Sequence, residues 1–169
     1  MNLRKLFTSA IIVTYSLSAL AGRLTLTDGS INDVKGSEYI SVVLDCSQTV
    51  YKGKKADSFS GFMKLHRRLP KWEAKSIEYF CEWFNDETAK ITACPDSTNS
   101  QYEIVVVVNE IYDNGRINAD IIIRTRETKK KIASFSLKGG DGDAEDMILL
   151  RDPMKDAGEC LGKYFNKNL

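Results

Sequence analysis

The stretch Gln101-Tyr-Glu-Ile-Val-Val-Val-Val-Asn-Glu-Ile-Tyr112 decides the fold. Its centre, Ile104 to Val108, is an unbroken run of β-branched residues, the pattern of a strand buried inside a sheet. Asp113-Asn114-Gly115 follows, and Asn-Gly between two apolar runs signals a hairpin because both residues tolerate positive φ. Strand pattern resumes over Ile117 to Arg126, around Ile121-Ile-Ile123. The chain turns at Glu127-Thr-Lys-Lys130 and alternates through Ile132-Ala-Ser-Phe-Ser-Leu137. Alternation sets Ala133, Phe135 and Leu137 on one face and Ile132, Ser134 and Ser136 on the other, which predicts an edge strand with one wetter face. Lys129-Lys130-Lys131 then reads as a solvated tip guarding that edge. Three such strands in succession form an antiparallel meander.

Working outward, Tyr39-Ile-Ser-Val-Val-Leu-Asp45 is apolar at most positions and predicts a strand buried on both faces within the sheet. Thr49 to Gly53 reads as an extended exit. Asp57 or Ser58 caps a short helix whose Phe59, Phe62, Met63 and His66 share one stripe, and Pro70 ends it. A longer helix from Trp72 to Lys90 carries Trp72, Ile77, Phe80, Cys81 and Phe84 toward the core. On the C-terminal side, Gly139-Gly-Asp-Gly-Asp143 interrupts the pattern before a helix from Asp152 to Asn166. Its stripe is Met154, Ala157, Leu161, Tyr164 and Phe165, and Gly158 and Gly162 leave a shallow flank for close approach. The order β-α-α-β-β-β-α predicts an α+β domain (α/β in the broad sense), a two-layer sandwich. Its mixed, mostly antiparallel sheet has about four to five strands, with two main helices on one face. The domain spans 37–169, and 22–36 is an amino-terminal arm or short strand.

Residues 1–21 read as a secretory signal peptide. Arg4-Lys5 precede an apolar run from Leu6 to Leu20, and Ala19-Leu20-Ala21 place small residues at −3 and −1 of a cleavage site. That run is about 15 residues, diluted by Ser and Thr, short of the ~20 that a spanning helix needs. The expectation is an exported chain, periplasmic or secreted, with no membrane span after signal removal. The whole chain holds 24 Lys+Arg against 23 Asp+Glu, and removing Arg4 and Lys5 leaves 22 against 23. That balance lacks the basic field with which nucleic-acid binders recruit a polyanion, so no nucleic-acid partner is expected.

An oxidising compartment permits disulfides, and Cys46, Cys81, Cys94 and Cys160 can pair in three ways. Cys81 with Cys94 is the local candidate, joining a helix to the loop beyond it. No CxxC suggests redox or zinc chemistry. His66 is the only histidine. With Arg67 and Arg68 it offers a partner or anion contact, and equally a helix end favoured by the dipole. No Ser or Cys nucleophile stands beside it in a recognisable motif, so the chain is expected not to be an enzyme. Asp141, Asp143 and Asp146 cluster oxygen ligands of the kind calcium takes, but miss the EF-hand spacing, and the same acids suit a helix start. No cofactor is expected beyond that calcium alternative.

Several segments resemble a family of small secreted Bacteroidetes proteins without assigned activity. They are Tyr39-Ile-Ser-Val-Val-Leu-Asp-Cys-Ser47, a Phe59 segment, Trp72, Phe84-Asn-Asp-Glu87, Tyr102 to Val108, Lys138-Gly-Gly140 and Asp156-Ala-Gly-Glu-Cys-Leu-Gly-Lys163. Asp141-Gly-Asp143 departs from that family's pattern after the paired glycines. The element order is also similar to the amino-terminal domain of TolB and to periplasmic accessory components of envelope transport, which act through protein contacts. The signal peptide, the sandwich pattern and the missing catalytic constellation together lead to the expectation of a non-enzymatic binding or scaffold domain with a cell-envelope protein partner. The alternative is small-ligand or divalent-metal binding through 141–146.

Overall fold

A computed structural model describes residues 24–52, 72–112, 114–138 and 150–169. The segments expected as a signal peptide, as a short helix carrying His66 and as an Asp-rich loop lie outside these described residues. In chain order the elements are β1 (Leu24–Gly29), a single 3-10 turn (Ile31–Val34), β2 (Tyr39–Asp45), β3 (Val50–Lys52) and α1 (Trp72–Glu87). They continue with β4 (Thr92–Cys94), β5 (Tyr102–Tyr112), β6 (Ile117–Thr125), β7 (Lys131–Lys138) and α2 (Arg151–Asn168). The fold is α+β, with one mixed sheet of seven strands ordered β1-β7-β6-β5-β2-β4 and β3 paired to β5.

β5 is the axis of the sheet, as its apolar run requires. It pairs antiparallel with β6 and parallel with both β2 and β3, which lie end to end along its other side. The Thr49 hydroxyl bridges the gap between them by donating to the Val108 carbonyl at 2.6 Å, beside the bulge between Val108 and Glu110.

The sheet is larger than four to five strands because three short elements join it. Leu24–Gly29, expected as an arm or short strand, pairs antiparallel with β7. The expected edge strand Ile132–Leu137 is therefore interior, between β1 and β6. Its wetter face is real, but water meets it across the sheet rather than along an edge. Val50–Lys52 and Thr92–Cys94 are three-residue strands, too short to show an alternating pattern. β2 is flanked on both sides, yet only one of its faces is fully covered: Ile40, Val42 and Leu44 are buried while Tyr39 and Val43 are exposed.

Both described helices share one hydrophobic core with one face of the sheet. Phe80 and Phe84 of α1, and Leu161 and Phe165 of α2, meet Ile104, Val106, Ile121 and Phe135 there. The Phe84 and Phe165 rings pack edge to face at 5.2 Å. Gly158 and Gly162 do what their spacing predicts. A Cβ built on Gly158 falls 2.3 Å from the Phe80 carbonyl oxygen, and one on Gly162 falls 2.6 Å from that of Phe84. The helices run in the same direction, since Gly158 faces Phe80 and Gly162 faces Phe84.

Candidate functional site

Among the candidate residues from the sequence, His66, Arg67, Arg68, Asp141, Asp143 and Asp146 fall outside the described residues. Cys81 and Cys94 are free thiols, as is Cys46. Cys81 is buried in the core, and that burial, followed by the nearby Cys94, pushes its thiol up to about 12. Cys94 stands opposite Ser41 in the parallel pair, one residue beyond the core-facing Ala93, so strand alternation turns its Cβ away from the helices. Its Sγ lies 3.6 Å from the Ile40 carbonyl. Trp83, off the main α1 stripe, receives the Lys155 ammonium 3.7 Å from its ring centroid, a cation–π contact between the helices. Among the described residues no cluster of three His, Cys, Asp or Glu suits a metal ion. No described helix is long and apolar enough to cross a membrane.

Two other features stand out. The first is the outer side of β1. Its six residues are exposed apart from half-buried Leu24, and they include Leu26, a large apolar side chain. Among the described residues β1 has one strand neighbour, β7, so its other backbone edge has no strand partner there. The opposite edge of the sheet is handled differently. The Asn85 side chain on α1 accepts from the Ala93 amide at 2.7 Å and donates to the Ala93 carbonyl at 2.9 Å, so one amide satisfies both groups of the middle residue of β4.

The second feature is a groove of about 490 Å³ at the end of the sheet where β5 begins and β6 ends. One wall is the loop and strand start from Thr98 to Tyr102, and the other is the turn from Thr125 to Thr128. The two walls are pinned to each other. The Arg126 amide donates to the Gln101 carbonyl at 2.8 Å. Its guanidinium donates to the Ser97 carbonyl and, at 3.0 Å, to the Asp96 carboxylate. The Ser100 hydroxyl accepts from the amides of Ser41 at 3.2 Å and Tyr102 at 3.3 Å, tying the loop to β2.

Within the turn, the Thr125 and Thr128 hydroxyls share a hydrogen bond of 2.5 Å, and the Lys130 amide donates to Thr125 Oγ1 at 3.0 Å. Lys129 adopts φ +56°, a left-handed conformation that side chains with a Cβ rarely take. Its ammonium reaches across to Glu103 Oε1 at 2.9 Å, and Arg124 Nε donates to the same oxygen at 2.5 Å. Glu103 is only 4% exposed. Burial alone raises a carboxyl pKa, but the hydrogen bonds and charges of Lys129 and Arg124 outweigh it and hold Glu103 below its ordinary value.

The groove therefore has a locked frame and a free lining. The side chains of Thr98, Asn99, Gln101 and Glu127 make no hydrogen bond or ion pair among the described residues. The site is not legible in the sequence because its walls are separate loops more than twenty residues apart, Thr98-Asn-Ser-Gln-Tyr102 and Thr125-Arg-Glu-Thr128, each ordinary polar turn sequence. The register Tyr102 to Thr125 is what joins them.

A second polar cluster lies near the far end of β5. Glu110 accepts from Lys52, from the Tyr112 hydroxyl at 2.6 Å and from the Asn118 amide at 2.6 Å, and these donors, Lys52 foremost, bring its carboxyl down to about 2. Its partners are all supplied by the sheet, so it serves as a cross-strand clasp between β3, β5 and β6.

No family model matches the chain. No curated protein matches it either. Among solved structures, two crystal forms of the PelC dodecamer from Paraburkholderia phytofirmans are similar to it. The first is 10% identical with a TM-score of 0.45, covering 82% of this chain and 96% of that one. The second, a point variant, is 12% identical with a TM-score of 0.41, covering 82% and 97%. Function has to be argued from the surfaces of the molecule itself, since a fold does not fix one.

Proposed function

We propose that this chain is an exported, non-enzymatic binding domain that contacts a protein partner of the cell envelope by strand addition along β1. The observation that carries the reading is the contrast between the two sheet edges. A row of backbone donors and acceptors left open on an edge is a template for another extended chain. At β4 the Asn85 amide occupies that template; at β1 no described element does. Export rests on the basic start, apolar run and small-residue cleavage site of residues 1–21, and export is what supports placing the partner in the envelope.

Leu26→Lys puts a charge on the exposed strand, at a position 38% exposed that stands opposite Phe135 in the β1–β7 register, and charge is the device by which natural edges are protected from pairing. Capture from envelope extracts at native expression should recover a specific partner with the wild-type chain. The Leu26→Lys variant should lose it while keeping its unfolding midpoint. Failure to recover any specific partner, or equal capture by the variant, contradicts the reading.

A further inference from the structure

We infer that the groove between Thr98–Tyr102 and Thr125–Thr128 is a binding site for an uncharged saccharide, distinct from the β1 edge and sharing no residue with it. Its volume falls within the range of ~300–1,000 Å³ that small-ligand sites occupy. The class of ligand follows from which polar groups are engaged and which are free.

Arg126 is the cation of the lining, and its guanidinium is held by Asp96 and by the Ser97 carbonyl. Glu127, on the same wall, repels anions. A phosphate, nucleotide or carboxylate ligand therefore meets no net positive charge, which such ligands require. Lipids and apolar peptide side chains need an enclosed hydrophobic pocket, whereas this open groove is lined by Ser, Thr, Asn, Gln, Arg and Glu side chains and one half-buried aromatic ring, Tyr102. What has no partner among the described residues is the Thr98 hydroxyl and the amides of Asn99 and Gln101, groups that both donate and accept. Adjacent sugar hydroxyls, each both donor and acceptor, complement that set. A ligand hydroxyl placed against such groups supplies the hydrogen bonds that solvent otherwise gives exposed polar side chains.

The frame adds preorganisation. The Thr125–Thr128 bond, the Arg126 clamp and the Lys129–Glu103 ion pair hold both walls before a ligand arrives, which lowers the entropy lost on binding.

The test is an NMR amide-shift titration of the full-length mature chain. The probes are neutral oligomers of glucose (α- and β-linked), N-acetylglucosamine, mannose and galactose, with oligogalacturonate as the charged control. Saturable shifts confined to 98–102 and 125–128, from at least one neutral oligomer at millimolar concentration, are expected. An Asn99→Ala/Gln101→Ala variant should lose them and keep the remaining amide spectrum of the wild type. The inference is overturned by no saturable shift from any neutral oligomer, by preference for the galacturonate, or by shifts centred elsewhere. Loss of partner capture by Leu26→Lys reads the β1 edge alone, so either surface can fail without the other.

Discussion

Glu103 shows how one residue shapes its surroundings. A carboxylate this buried is tolerated only when paired, and two cations from β6 and the β6–β7 turn supply the pairing on one oxygen. Because the folded protein holds Glu103 below its ordinary value, its contribution to stability is complete above the unfolded-state titration near pH 4.5 and is lost as pH falls through the lower folded-state value. Glu103→Gln leaves Arg124 and Lys129 without their anion. It should cost about 1–2 kcal/mol at pH 7, a value discounted because both cations reach solvent. Urea unfolding at pH 7 and again at pH 3 checks the sign: the gap between wild type and variant should narrow in acid. A gap that is constant with pH would mean that shape, not charge, fixes the turn.

At the scale of elements, the packing of α1 on α2 depends on two missing Cβ atoms. Gly158→Ala sets a methyl 2.3 Å from the Phe80 carbonyl oxygen, part of a helix backbone that cannot yield locally. The clash should outweigh the ~1 kcal/mol gain in helix propensity and leave a net loss of about 1–3 kcal/mol, read as a lower unfolding midpoint. Gly162→Ala, meeting Phe84 O at 2.6 Å and Glu87 Cβ at 2.8 Å, should act in the same direction. A stabilised Gly158→Ala would show the helices to be farther apart than described.

The glycine spacing was legible in the sequence because a helix repeats every three to four residues. The apolar run of Ile104–Val108 was legible because a buried strand needs no alternation. β4 was not, since three residues carry no period and its place is set by parallel pairing with β2 and a hydrogen-bonded side chain from α1. β7 was misplaced as an edge because alternation reports which face is wet, not which neighbour lies alongside. The groove was illegible for a related reason: its walls meet only through the β5–β6 register, and nothing local in either loop announces the other.

At the scale of the whole molecule, the sheet has one edge finished by a side chain and one with no strand partner among the described residues, with both described helices on a single face. The mature chain should begin at Gly22, and an intact mass on protein recovered from the exported fraction checks that; an unprocessed mass would remove the basis for an envelope partner. The open edge itself is tested most directly by a photo-crosslinking residue placed at Leu26, with a second at Glu82 on the exposed side of α1 as control. In cells at native expression, strand addition along β1 predicts one discrete adduct from position 26 and none from position 82. No adduct from either position, or the same adduct from both, would contradict it.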